Sequence, residues 1–464
     1  MIVSKTLILT PRFSRTAAAL FCSGLLTACV SGQQQNYQQQ MQQFEQYQQL
    51  SEQYRINQSW WTQYNDAQLN RLIDTALANN LNLAKAAISV NRALYNANLL
   101  GADLVPTFSG SVSGGVQKNT ETGISTRTYG SALGVTYTLD LWRKLADSAS
   151  AAEWEHQATA ADLEAVKLTL INQVVDGYYQ IAYLKQAIDI VKRNIQTYNQ
   201  ISRITQNQVN QGLTLQLDAD QSKQSVLSAE NQLITYQSQL QTAETTLRNL
   251  LNLQPQQNLG LAPLNLKNLK LQKVDLNVPL STIANRPDLK AYQFRLTSAF
   301  KDLNAMEKSW YPSITLGASL KTSGDRTSNM FDVPLTAGNI GINLPFLDWN
   351  RVKWNVKLSE AAYETAKLNF QQGITTALNE IDNNYKAYQL AQQSYANLNQ
   401  KYQYDRNISN TYRLQYNAGV TAMKDWLAAL ATEQTSELSI LQAKYDLLRY
   451  ENAIYQSMAG KYQR

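Results

Sequence analysis

Side chains able to carry chemistry are scarce in this chain. One histidine, His156, and two cysteines, Cys22 and Cys29, stand among 464 residues. That leaves no His/Cys cluster for a structural metal. There is no Gly-rich phosphate cradle and no Gly-x-Ser-x-Gly elbow. The chain is therefore read as not an enzyme, with no catalytic residue, no cofactor and no metal. His156 lies among Glu153, Trp154 and Glu155 as a surface or seam residue of a long helix. Nine prolines and nineteen glycines are few for this length; long stretches lacking both are a helical signature. No run of 18 apolar residues follows the N-terminal segment. A membrane-spanning helix is thereby excluded, and any crossing of a bilayer requires a closed β-barrel. Formal charge is +6, and residues 1–28 carry Lys5, Arg12 and Arg15 and no acid, so the rest holds +3. That small surplus gives no argument for nucleic acid.

What is present begins at the N-terminus. Lys5, Arg12 and Arg15 lead a short apolar segment, Ala17 to Leu26, and Leu26-Thr27-Ala28 directly precedes Cys29. A basic lead, a short apolar core and a small residue before cysteine read as a lipoprotein processing site. Residues 1–28 are then a signal peptide and Cys29 is the lipid-attachment residue. The plainer alternative is a secretory signal with a chance cysteine. Val30, rather than an acid, follows Cys29 and is compatible with sorting to an outer membrane. Residues 29–58 are read as the acylated cysteine and a solvated Gln-rich spacer.

Downstream, the chain is written twice. Pro106 and Pro312 lie 206 residues apart. Gly134 and Gly341, Trp142 and Trp349, Gly212 and Gly419, and Asp218 and Asp425 each lie 207 apart. The first repeat is read as 59–253, a Pro-bearing connector as 254–279, and the second repeat as 280–464. Each repeat reads as a helix (about 61–102 and 280–309), two short alternating segments, then a long helical hairpin with one glycine at its tip.

The alternating segments have period two. Phe108, Gly110, Val112 and Val116 oppose Thr107, Ser109 and Ser111; Leu133, Val135, Tyr137 and Leu139 oppose Gly134, Thr136 and Thr138. Ile314, Leu316 and Leu320 oppose Ser313, Thr315 and Ser319; Ile340, Ile342, Leu344 and Phe346 oppose Asn339, Gly341 and Asn343. Their lengths approach the roughly 9–11 residues of a tilted transmembrane strand. A soluble β-layer packed on helices is the alternative; the Gly- and Ser-rich second face fits a wet lumen better. Four strands cannot close a barrel, since single-chain barrels begin at about eight. Three copies give twelve strands and a wet lumen, whereas two give eight, which side chains fill. The argument favours a homotrimer.

From Leu145 to Val209 there is no proline and only Gly177. At about 1.5 Å per residue, that stretch extends to roughly 100 Å. Ile181, Leu184, Ile188, Val191, Ile195 and Tyr198 step by threes and fours, as do Leu378, Ile381, Tyr385 and Tyr388 in the second repeat. A narrow stripe with Gln, Asn and Thr flanks suits helices walling a water-filled cylinder. A plain coiled-coil spacer is the alternative.

These residues resemble the outer-membrane factors of tripartite efflux systems, the TolC-like exit ducts, in their lipoprotein branch. The likeness runs from Ser59-Trp60-Trp61 to the C-terminus. It is carried by Trp61 with Asp66 and Asn79-Asn80, by Tyr137-Thr138-Leu139-Asp140-Leu141-Trp142, by Arg286-Pro287-Asp288 and Tyr311-Pro312-Ser313-Ile314, and by Leu344-Pro345-Phe346. The resemblance implies a mainly α fold with a small transmembrane β part. In it, a long coiled-coil α-barrel joins four β-strands per protomer, which complete a 12-stranded barrel as a homotrimer. It implies an outer-membrane exit channel with a periplasmic helical extension, passively exporting drugs, metal ions or other small molecules. Its partners would be outer-membrane lipid, a periplasmic adaptor docked on the helix tips at Gly212 and Gly419, and an inner-membrane efflux transporter. It further implies a periplasmic gate, with Tyr416 and Asp218 tying neighbouring coils and Asp425 ringing the aperture. The plain alternative for both aspartates is solvated helix ends. The chain departs from the family in four places. Arg143 follows Trp142, and Asn350 precedes Arg351, where glycine often stands before the basic residue. Thr421 stands where a tie arginine is expected, with Lys424 as a candidate substitute, and Ala428 where a second ring carboxylate is expected. Two rival functions share the body plan: the exit duct of a protein-secretion system, and a non-conducting envelope scaffold.

Overall fold

The computed structural model describes residues 15–272 and 274–463, with side chains for 32–272 and 274–462. The signal-peptide lead and the side chain of Cys29 lie outside the described residues. In chain order the elements are α1 (Arg15–Glu52), β1 (Arg55–Asn57), α2 (Ala67–Asn79), α3 (Leu81–Gly101), β2 (Thr107–Lys118), β3 (Ser125–Leu139), α4 (Lys144–Asn210) and α5 (Gln216–Leu250). The second half follows as α6 (Pro287–Glu307), β4 (Ser313–Gly324), β5 (Pro334–Asn343), α7 (Trp349–Asn417), α8 (Met423–Ser457) and β6 (Lys461–Gln463).

The four long strands form one antiparallel sheet in the order β2-β3-β4-β5. Its register places Tyr137 opposite Leu316 and Leu316 opposite Ile340, and Leu139, Ile314 and Ile342 form the next row. The neighbouring positions align Thr136 between Thr107 and Gly317, with Asn339 beyond. The alternation seen strand by strand thus becomes one apolar face and one small-polar face. Among the described residues, neither face has a packed layer over it. Phe108 is 80 % exposed and Ile340 72 %. Both outer edges, β2 and β5, lack strand partners among the described residues.

Helices α4 and α7 are 67 and 69 residues long. In the wall below the sheet, α3 packs on α4, α4 on α6 and α6 on α7; further down, α5 packs on α4, α4 on α8 and α8 on α7. The opening helix of the first repeat is broken at Asn80. Its side chain accepts from the N–H groups of Asn82 and Leu83 at 3.0 and 3.1 Å, capping α3 just where α2 ends. Asp66 caps α2 in the same way and also accepts from the Tyr178 hydroxyl at 2.7 Å. In the second repeat the helix begins later than expected, at Pro287, because proline suits the first helical position. Arg286, just ahead of it, bonds Asp288 and Glu380 at 2.8 Å and the Ser457 carbonyl at 2.7 Å. That clamp accounts for the Arg-Pro-Asp motif.

Other expectations change as well. The Gln-rich segment is not a solvated spacer: residues 32–52 belong to α1, and Phe44 is fully buried. Tyr37 stacks on Phe300 at 4.3 Å, and Phe44 meets Phe370 edge-on at 5.4 Å. An apolar side chain every three or four residues survives inside the glutamine run and finds the α6–α7 groove. Leu344 and Phe346 lie outside the fourth strand, because Pro345 opens a short 3-10 turn after Asn343. The two strand-to-helix junctions also differ from each other. Arg143 adopts φ +62°, the left-handed region that glycine favours, while Asn350 is already within α7. Asp140 accepts from the backbone of Leu145 and Ala146 at 3.0 and 2.8 Å, holding the first junction despite that conformation.

Candidate functional site

The two hairpin tips are built alike. At the first, the Leu213 N–H reaches back to the Gln208 carbonyl (2.8 Å) and the Gly212 N–H to that of Val209 (2.9 Å). At the second, Val420 bonds Gln415 and Gly419 bonds Tyr416, both at 2.9 Å. This helix-ending motif requires a left-handed residue, and Gly212 (φ +72°) and Gly419 (φ +70°) supply it. Asp218 and Asp425 then fall in the first turns of α5 and α8, where the helix dipole favours a carboxylate.

Each aspartate is held by a threonine four residues earlier. The Thr214 hydroxyl donates to Asp218, and that of Thr421 donates to Asp425 at 3.2 Å. Thr421 therefore has a local task, orienting the carboxylate, at the position where the resemblance leads one to look for an arginine. Both aspartates are half-buried, while Lys424 and Ala428 are exposed.

Tyr416 does not bond Asp218 within the chain. Its hydroxyl donates to Gln208 at 2.9 Å and its ring stacks on Trp426 at 5.4 Å. Burial, with the Asp218 charge adding to it, raises its phenol above the ordinary value despite the Gln208 bond. The contact ties the end of α7 to the end of α4, joining the two hairpins. Beneath it, Tyr198, Ile201, Val226, Met423 and Leu427 make a small core of their own. The structure thus brings Asp218 near Tyr416 and places Asp425 on the second tip. Gln208 and Trp426 are additions that sequence reasoning did not name, and Thr214, read only as part of the first tip, gains a role as the partner of Asp218. The 207-residue offset between Thr214 and Thr421 was the available signal.

A second polar cluster, also not foreseen, sits midway along the molecule. Glu451 is 0 % exposed. It accepts from the Gln272 N–H (3.0 Å), the Tyr64 hydroxyl (3.3 Å) and the Tyr455 hydroxyl (3.4 Å). Burial pushes its carboxyl up to about 7, although those bonds and the nearby Lys461 pull it down. Trp60 donates to the adjacent Asn452 at 3.0 Å. Lys461 donates to Gln63 and to the Gln272 carbonyl at 2.7 and 3.1 Å. The cluster knots the N-terminal segment, the connector and the C-terminal tail together.

Among the described residues, no group of three or more His, Cys, Asp or Glu could hold a metal, and no helix is long and apolar enough to cross a membrane.

Known proteins carry the same architecture. The profile of the outer membrane efflux protein family matches the chain twice, over residues 72–253 and 278–460. The "Toxin and drug export protein A" of Aggregatibacter actinomycetemcomitans is 52% identical over 92% of this chain and 94% of its own length. An uncharacterized protein of Haemophilus influenzae is 49% identical over 96% of this chain and 98% of its own. The crystal structure of the Campylobacter jejuni CmeC outer membrane channel superposes with a TM-score of 0.81 at 22% identity, covering 88% of this chain and 89% of that one. The doubled profile match, the relative at 52% identity and the four-stranded sheet set on two long hairpins place this chain in the outer membrane efflux protein family.

Proposed function

We propose that three copies of the chain form a passive outer-membrane exit channel, anchored in the inner leaflet through lipid on Cys29. An inner-membrane transporter would load it through a periplasmic adaptor seated on the tips at Gly212 and Gly419. One observation carries the reading: a sheet with a single apolar face and two unpaired edges. In lipid, every backbone polar group needs a partner, so an open edge has to be closed by another strand. Drugs and other small molecules are the proposed cargo, supported by the name of the relative at 52% identity. The same name supports a second reading in which a toxin also leaves by this route.

The gate is assigned to the tips. Three copies bring three Asp425 and three Asp218 towards one axis, where clustered carboxylates attract cations. In planar bilayers the protein should conduct and be blocked by a trivalent cation. Asp218→Ala with Asp425→Ala should raise the conductance and weaken the block. Unchanged current and block in the double variant would remove the gate assignment; no conductance from either protein would remove the channel. A deletion strain separates the two cargo readings. Drug sensitivity without loss of an exported toxin favours small molecules alone, and loss of both favours the shared route.

A further inference from the structure

We propose that Lys118 and Arg127, at the hairpin end of the sheet's apolar face, clamp the phosphate of an outer-leaflet lipid headgroup. This rests on the channel reading, with the helical end of the sheet towards the periplasm, and adds to it a specific lipid contact at the opposite rim.

The register puts both cations on the lipid side. In the β2–β3 ladder Phe108 pairs with Val135, Val116 with Arg127 and Lys118 with Ser125. These rows are separated by even steps, so all of them share one face, the apolar one. Lys321, level with Ala132, belongs to the other face.

Two aromatic levels bracket the apolar band. At the helical end, Trp142 stacks on Tyr311 at 4.9 Å and donates to the Pro312 carbonyl at 2.9 Å, just past the Leu139–Ile314 row. At the hairpin end, the Tyr129 ring lies across Gly114, so close that a Cβ there would stand 3.2 Å from it. Rings with a polar tip gather at the two membrane–water boundaries. Leu139 and Tyr129 are ten residues apart. At about 3.4 Å per residue and a tilt of about 40°, that is roughly 26 Å along the membrane normal, close to the ~25 Å apolar band of such barrels. The Arg127 and Lys118 rows then lie roughly 5 and 10 Å further out, at headgroup depth.

The charge at that depth has one sign. Both cations are exposed, and neither makes an ion pair among the described residues. The nearest acid in sequence is Glu121, in the turn, whose backbone N–H donates to Asn119 at 2.9 Å. Asn119 also accepts from the Thr122 N–H at 3.1 Å, its own N–H donates to the Ile124 carbonyl at 2.9 Å, and Gly123 takes φ +70°. This tight turn fixes the ends of both strands. Diagonal neighbours across an antiparallel pair are about 7–8 Å apart, within reach of long side chains. Two like charges held so close repel each other. A phosphate between them replaces that repulsion with charge-assisted hydrogen bonds, and the arginine fork matches two of its oxygens. Ser125, opposite Lys118, offers a further hydroxyl donor.

Titration of the solubilised full-length particle with diphosphoryl lipid A, read by native mass spectrometry, tests the clamp. Diphosphoryl lipid A should bind more tightly than the monophosphoryl form. Lys118→Gln and Arg127→Gln should each weaken binding about fivefold, and the double variant more. Lys321→Gln, on the other face, should change nothing, and millimolar inorganic phosphate should not displace the lipid. Unchanged affinity in the double variant, an equal loss in Lys321→Gln, or displacement by inorganic phosphate would overturn the clamp. Conductance of the same preparations tells the failures apart. A double variant that conducts like the parent is folded, so unchanged lipid binding then removes the clamp alone; if it does not conduct, the single variants carry the test. A parent protein without conductance removes the channel reading beneath it.

Discussion

Glu451 shows how a single buried residue can make the stability of the fold depend on pH. Its carboxyl titrates near 7 in the folded chain, against an ordinary 4.5, because burial penalises the charge more than its three donors repay. Raised in the folded state, it contributes stability that is fully present below about pH 4.5 and is lost as the pH rises through 7. The window corresponds to about 3 kcal/mol. Glu451→Gln keeps a neutral side chain of similar size. It should raise the unfolding midpoint at pH 8 and leave it nearly unchanged at pH 5, as followed by denaturant titration. A variant destabilised equally at both values would show that the charged form is the one the fold needs. At this scale the sequence was only partly legible. Asp218 and Asp425 could be singled out by their spacing, whereas Glu451 looks like any acid on an amphipathic helix. Its meaning comes from Tyr64 and Gln272, each more than 170 residues away in sequence.

Among the elements, the long helices and strands were readable because their period is sustained: 67 and 69 residues of heptad-like spacing, and strands of 10 to 15 residues with alternating faces. Helix α1 was misread because glutamine dominates its composition, and composition hid the stripe of Tyr37, Met41, Phe44 and Tyr47 that packs on the second repeat. The break at Asn80 was hidden for the opposite reason, since the apolar pattern continues across it and only the capping side chain marks the boundary. Phe44→Ala removes a fully buried ring of α1 and should cost about 3–5 kcal/mol of docking energy. Hydrogen exchange in residues 32–52 should then speed up while the hairpin tips keep their protection. Unaltered protection of that segment would mean that α1 is held by something other than its aromatic stripe.

The whole molecule is an open fragment of a larger cylinder. Its sheet has two edges without partners among the described residues, and Asp218 and Asp425 stand beside its tips in the first turns of α5 and α8. The need for partners was legible from the strand count alone, because four strands with one apolar face cannot be stable in lipid. The order of the helices in the wall was not, because sequence spacing does not say which helices pack on one another. Both family matches, 72–253 and 278–460, leave residues 1–71 aside. That is the part in which composition misled most, at the Gln-rich helix. The most direct test is the mass of the solubilised particle by native mass spectrometry. Three chains per particle is the result predicted here, and a folded, stable single chain would contradict it.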